Sequence, residues 1–193
     1  MKIIPTNIPD LLIIEPAVFE DERGFFFESY NKQQFVNKDL NYNFVQDNHS
    51  KSCFGVLRGL HFQKAPYSQT KLVRVIQGSV IDVAVDLRIG SPTYLQSFSI
   101  ELSEQNKKQL LVPKGFAHGF VVLSETCEFL YKCDEFYNKN ADGGIFFNDP
   151  SLNVDWGTIH AEKLIISEKD KNLPLVEKAI FDFPFEKYTN TIL

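Results

Sequence analysis

Lys71-Leu72-Val73-Arg74-Val75-Ile76-Gln77-Gly78-Ser79-Val80-Ile81-Asp82-Val83-Ala84-Val85-Asp86-Leu87-Arg88 reads as two alternating, β-rich runs joined by Gly-Ser. The spacing predicts a hairpin in which Gly78 supplies the positive φ of a tight turn. In the second run Ile81, Val83, Val85 and Leu87 fall on one face, and Asp82, Ala84 and Asp86 on the other. The first face is expected to be core and the second polar, lining a barrel lumen. The pattern leaves open whether Asp82 and Asp86 contact a ligand or only bond neighbouring strands.

The same texture extends in both directions. Turn residues recur at Pro9-Asp10, Asp21-Glu22-Arg23-Gly24, Gly55, Gly90-Ser91-Pro92 and Asp142-Gly143-Gly144, and the runs between them are rich in Phe, Val, Ile and Tyr. Many short strands follow, and with them an all-β sandwich or jelly roll. Helical signal is thin. Lys32 to Asp39 predicts a turn or two, and Ser103 to Lys108, with Ser103 as N-cap and Asn106 three residues on, predicts another. Beyond Glu162 the alternation weakens and prolines mix with charges, which predicts short helices and loops laid over the barrel. The expected organisation is one domain over residues 1–193, with a core over about 10–160 and a C-terminal segment over about 161–193.

Composition narrows the function. A chain of 193 residues, 44% hydrophobic and 13% aromatic, fills one substantial core. A net charge of −5 argues against a protein that neutralises many nucleic-acid phosphates, whereas a small anionic ligand needs only a few local cations. Cys53, Cys127 and Cys133 are too few and odd in number for a disulfide framework, which points to a reducing cytoplasm. Met1-Lys2-Ile3-Ile4-Pro5 does not open a signal peptide, and no window approaches a span of about 20 apolar residues. A cytoplasmic protein without membrane association is expected.

Four histidines can be weighed singly. His61 ends the apolar run Val56-Leu57-Arg58-Gly59-Leu60-His61-Phe62-Gln63. Burial beside an arginine disfavours a charged imidazole, and a neutral one can take a proton. A core histidine bonded to a backbone carbonyl has the same spacing. His118 follows a Pro-Gly turn in Pro113-Lys114-Gly115-Phe116-Ala117-His118-Gly119. This pattern resembles the second motif of the cupin jelly rolls, but Gly59-Leu60-His61-Phe62-Gln63 lacks the His-x-His pair of metal-binding cupins. A metal site is therefore short of ligands, and His118 reads as a hydrogen-bond donor to substrate or as structural. His49 and His160 sit in polar, loop-like contexts and read as solvated. Arg58 and Lys71, at strand edges flanking His61, suit a substrate that carries phosphates and develops enolate charge, or are simply solvated. Tyr131 and Tyr137 are six apart, on one face if the strand is unbroken. A phenol there can donate a proton, stack on a base or fill core.

Together these stretches resemble the dTDP-4-dehydrorhamnose 3,5-epimerase family over nearly the whole chain. The segments that carry the resemblance are Asp21-Glu22-Arg23-Gly24-Phe25-Phe26-Phe27-Glu28, Gln46-Asp47-Asn48-His49-Ser50, Leu57-Arg58-Gly59-Leu60-His61-Phe62-Gln63, Lys71-Leu72-Val73-Arg74, Asp82 to Arg88, Pro113 to Phe120 and Ser167-Glu168-Lys169-Asp170. The resemblance implies a cupin-type jelly roll (a double-stranded β-helix) and no cofactor. It implies that His61 is the base, Asp170 its orienting partner, Tyr131 the acid and Lys71 the enolate stabiliser, with His118 near the sugar. By the same resemblance Arg23, Glu28, Gln46, Asp47, Asn48 and Arg58 hold a dTDP-sugar, and Tyr137 stacks on the pyrimidine. It further implies a homodimer with N-terminal strand exchange, so that Arg23 and Glu28 serve the neighbour's site. Lys114 stands where the family commonly has an acidic residue. The chemistry agrees with the resemblance, because protons on carbons 3 and 5 of a 4-keto sugar are alpha to the carbonyl and leave an enolate without a redox cofactor. Relatives that invert one carbon or take GDP- or CDP-linked sugars, a non-enzymatic sugar-binding jelly roll, and a metal-dependent cupin are the competing readings.

Overall fold

The computed structural model describes residues 1–157 and 161–185, so His160 lies outside the described residues. Strands dominate: β1 (Lys2–Pro5), β2 (Leu12–Glu15), β3 (Phe19–Asp21), β4 (Gly24–Phe26), β5 (Gln46–Cys53), β6 (Val56–Gln63) and β7 (Lys71–Gln77) fill the first half. There follow β8 (Ser79–Asp86), β9 (Ser97–Ser103), β10 (Gln109–Val112), β11 (Phe116–Val122), β12 (Thr126–Cys133), β13 (Asp142–Gly144) and β14 (Ile165–Ile166). Among the described residues, helices are limited to α1 (Lys32–Val36), α2 (Glu168–Lys171) and two single 3₁₀ turns.

Apart from the two-stranded β3–β4 hairpin, the described strands form two sheets, ordered β1-β2-β10-β7-β12-β5 and β13-β6-β11-β8-β9, with β14 parallel to β6. Side chains of both sheets meet in a central cluster that includes Val73, Val75, Leu110 and Phe129 from the first and Val80, Ala84, Phe116 and Phe120 from the second. Phe120 and Phe129 stack with ring centres 4.2 Å apart, which locks the two layers face to face. This is the all-β sandwich of jelly-roll type that the alternation predicts.

The founding stretch folds differently in detail. The two runs become β7 and β8, and Gly78 has φ +80°, but β7 pairs with β10 and β12 while β8 pairs with β9 and β11. Gly-Ser is thus a corner between sheets, not a hairpin turn. Both faces of β8 are buried. Ala84 packs in the central cluster, whereas Val83, Val85 and Leu87 pack outward under a C-terminal layer that includes Ile145, Leu152 and Phe183. A third cluster, Ile14, Phe35, Leu72 and Leu111, covers the outer face of the first sheet beneath α1.

α1 lies where its signal predicts, capped by the Asn31 side chain on Gln34 N. The Ser103 signal gives a cap without a helix. Ser103 Oγ accepts from Asn106 N and Asn106 Oδ1 from Ser103 N, but the chain turns at Lys107 (φ +53°) into β10. Asp86 is structural: its oxygens accept from Arg88, Ser91 and Thr93, and Arg88 also reaches Asp10 and Pro9 O. Burial alone would raise the Asp86 carboxyl, but these bonds outweigh it and hold it below the usual range.

Candidate active site

The site lies between the sheets at one end. β6 supplies Arg58 and His61, β11 supplies His118, and the antiparallel register sets His118 directly across from His61. Close approach of these two strands requires glycine: Gly59 has φ +126°, and a Cβ there would lie 2.6 Å from Gly119 Cα. On the facing sheet, Lys71 opens β7 and Tyr131 lies on β12, with Lys71 Nζ 5.8 Å from the Tyr131 ring centre. β5 sets Asn48 beside Tyr131. The walls enclose a cleft of about 690 Å³ lined by His61, Lys71, His118, Tyr131, Arg58 and Asp170, a size ordinary for a small ligand.

Asp170 arrives from the C-terminal segment. β14 runs parallel to Val56 and Leu57 of β6, Ser167 caps α2 by accepting from Asp170 N, and Asp170 is the buried residue of that helix. Its Oδ1 lies 2.7 Å from His61 Nε2, and its Oδ2 accepts from Gly59 N at 3.2 Å. Burial raises this carboxyl, yet the His61 bond and charge, the Gly59 N–H and Lys169 together bring it below its ordinary value. It is therefore an anion at neutral pH, and a carboxylate at this nitrogen fixes the imidazole tautomer.

A second pair lies deeper. His118 Nε2 sits 2.6 and 2.8 Å from the two oxygens of Asp82, which is fully buried. Asp82 thus faces the lumen, but its oxygens are taken up by His118. Its carboxyl is raised by burial, against the opposing pull of His118 and Lys71. Lys71 is lowered by burial, with Asp82 and Asp142 favouring its charged form. Tyr131 is raised by burial, so the phenol keeps its proton at neutral pH.

Arg58 and His49 also line the cleft, whereas the remaining expected residues lie outside it or are spent on other partners. Arg58 is in the interior of β6, not at an edge, and its Nε donates to Ser52 Oγ at 3.2 Å. Tyr137 does not share a strand with Tyr131, because β12 ends at Cys133; it stands 58% exposed on the loop beyond, outside the cleft lining, with its hydroxyl donating to Asp142 at 3.4 Å. Gln46 spends its amide on Asn48 Oδ1 and Tyr137 N. Asp47 is exposed and pairs with Lys132. His49 is on strand β5, not a loop, and although exposed it pairs with Glu128 at 3.1 Å. Arg23 pairs with Asp21 on the β3–β4 hairpin and Glu28 accepts from Asn31 and Gln34, both away from the cleft. Lys169, in the cleft wall and 2.5 Å from Asp142, was not singled out; its place next to Asp170 was the available signal.

Comparison with known proteins agrees with this geometry. The family described as dTDP-4-dehydrorhamnose 3,5-epimerase matches residues 5–178. The chain belongs to that family. The Shigella flexneri dTDP-4-dehydrorhamnose 3,5-epimerase is 52% identical over 175 residues, 89% of this chain and 94% of the relative. Among solved structures, the epimerase of Elizabethkingia anophelis NUHP1 superposes with TM-score 0.88 at 55% identity, covering 92% of this chain and 97% of its own. The Legionella pneumophila enzyme in complex with dTDP-4-keto-L-rhamnose superposes with TM-score 0.92 at 43% identity, covering 96% and 99%. A 3′-monoepimerase from Streptomyces bikiniensis in complex with dTDP-quinovose shares the fold, with TM-score 0.81 at 26% identity, 89% of this chain and 86% of its own. This member of the epimerase family is thus a cofactor-independent carbohydrate epimerase.

Proposed function

We propose that the cleft inverts carbons 3 and 5 of dTDP-4-keto-6-deoxy-D-glucose to give dTDP-4-dehydro-L-rhamnose, with His61 as base and Tyr131 as acid. The observation that carries this reading is the His61–Asp170 pair on one wall with Lys71 and Tyr131 on the other. The imidazole nitrogen turned away from Asp170 takes the proton alpha to the keto group. Charge moves to the carbonyl oxygen, where the Lys71 ammonium and His118 stabilise the enolate. The Tyr131 phenol returns a proton to the opposite face of the carbon, the ketone re-forms, and His61 and Tyr131 re-equilibrate with solvent. The same steps serve either carbon. Arg58 and Asn48 hold the diphosphate end, Tyr137 stacks on the pyrimidine, and Gln46 and Asp47 order that end of the site.

We read the protein as a homodimer of one-domain subunits in which the β3–β4 hairpin crosses to the neighbour. Among the described residues the hairpin joins neither sheet, leaves Phe19, Phe25 and Phe26 at 65%, 59% and 67% exposed, and carries Arg23 away from its own cleft, while no described strand pairs with the outer edge of β5. Added to β5 of a partner, it brings Arg23 and Glu28 to the edge that holds Asn48. Three free cysteines support a cytoplasmic setting, and no helix among the described residues is long and apolar enough to cross a membrane.

Proton NMR of the 4-keto sugar nucleotide in deuterated buffer tests the reaction. Deuterium at both carbons, lost in His61→Ala, is expected. Exchange at carbon 3 alone would assign the activity of the Streptomyces neighbour instead, and no exchange would refute the assignment.

A further inference from the structure

Gln63 is buried at the end of β6, two residues beyond His61, yet its amide is turned to the backbone of two loops. Nε2 donates to Tyr67 O at 2.7 Å and to Phe136 O at 3.1 Å, while Oε1 accepts from Asn138 N at 2.7 Å. Gln46, on the other sheet, accepts from Tyr137 N at 3.0 Å. Two glutamines from facing sheets thus hold groups of three successive residues, Phe136, Tyr137 and Asn138, in a segment without regular secondary structure. Thr70 and Gln69 tie the adjoining Asp134 and Glu135 to the same loop pair.

We propose that Gln63 is a positioning residue that fixes the Tyr137 ring relative to His61 and thereby sets nucleotide recognition. The proposal rests on the stacking role read for Tyr137. An amide is required because the site presents two carbonyls and one N–H, which need two donors and one acceptor from a single side chain. Apolar replacement leaves those part-buried groups without their partner, so the loop trades its fixed position for solvent. Since β6 carries both Gln63 and His61, the bond set links the base-reading end of the site to the base that moves protons.

A double-mutant cycle with Gln63→Met and Tyr137→Ala, read by calorimetric binding of dTDP, tests this. Tyr137→Ala is expected to weaken dTDP about tenfold, in the range of one lost base–aromatic stack. Gln63→Met is expected to weaken it to a similar degree in the parent and less than twofold in the Tyr137→Ala background. A tenfold effect of Gln63→Met that persists without Tyr137 overturns the proposal while leaving the stacking role intact. No effect of Tyr137→Ala removes the stacking role and the proposal with it. Gln63→Glu, which keeps the volume and the acceptor for Asn138 but loses both donors, carries the same cycle if the methionine variant does not fold.

Discussion

Asp170→Asn changes one atom and is expected to cost far more in rate than in stability. Both carboxylate oxygens are engaged, Oδ1 with His61 Nε2 at 2.7 Å and Oδ2 with Gly59 N at 3.2 Å. The Gly59 N–H can only donate, so its partner must accept. Asparagine has one accepting oxygen, which goes to Gly59 and turns the NH₂ toward His61 Nε2. The imidazole answers by accepting at Nε2 and carrying its proton on Nδ1, so the nitrogen turned away from residue 170 ceases to be a base. The folding cost is bounded by one charge-assisted hydrogen bond, about 1.5–3 kcal/mol. The rate cost is larger, because holding the wrong tautomer at a His–Asp pair lowers kcat by about 10⁴ in a serine protease. We expect kcat for deuterium exchange to fall about 10³–10⁴-fold, or about 4–5.5 kcal/mol of barrier. KM should change less than about threefold, since the Asp170 carboxylate is spent on the protein itself. Steady-state exchange by NMR beside a thermal melt makes the comparison. A folded variant with kcat within threefold of the parent would refute the tautomer argument.

Two further outcomes follow from burial. Lys71 has its pKa lowered by burial, so in the alkaline range below its ordinary value near 10.5 the unfolded chain binds a proton that the folded one does not. Stability should therefore rise with pH in that window, and Lys71→Met should lack the rise; parallel urea midpoints for parent and variant between pH 7 and pH 10 would contradict this. Phe129, 1% exposed and stacked on Phe120, joins the two sheets, so Phe129→Ala should cost about 3–5 kcal/mol. At about 2–4 °C per kcal/mol for a chain of this size, the melting temperature should drop by roughly 6–20 °C in calorimetry.

The alternation around Gly78 was enough to give the two strands and the turn between them, but not their partners, so a corner between sheets reads as a hairpin. Period 2 tells which side chains share a face, and is silent on which strand lies alongside; β7 and β8 enter different sheets because their long-range neighbours are β10, β12, β9 and β11. The same limit explains Tyr137. Counting by twos from Tyr131 assumes an unbroken strand, whereas the ladder stops at Cys133 and Asp134 turns its carboxylate back to Thr70 N. Ser103 and Asn106 show the converse: the cap chemistry was readable and formed, but a cap needs following residues that stay helical, and Lys107 turns away.

The site divides along the same line. His61 and His118 were visible singly as histidines on apolar runs, and their directly opposed register follows from pairing β6 with β11. Their carboxylate partners, 109 and 36 residues away, have no local signature; Asp170 entered through the family resemblance, and Asp82 only as an acid on a strand with both neighbours apolar. Yet those partners differentiate two otherwise similar imidazoles. The His118 side chain is 8% exposed against a fully buried Asp82 whose carboxyl is pushed up, so the deep pair is held in place, which suits the fixed donor proposed for His118. The His61 side chain is 30% exposed against an Asp170 held down as an anion by His61, Gly59 and Lys169, which suits the proton transfer proposed for it. Opposite shifts of two carboxyls in one cleft, each traceable to its own hydrogen bonds and burial, fit the proposed division between a proton-moving His61 and a donating His118.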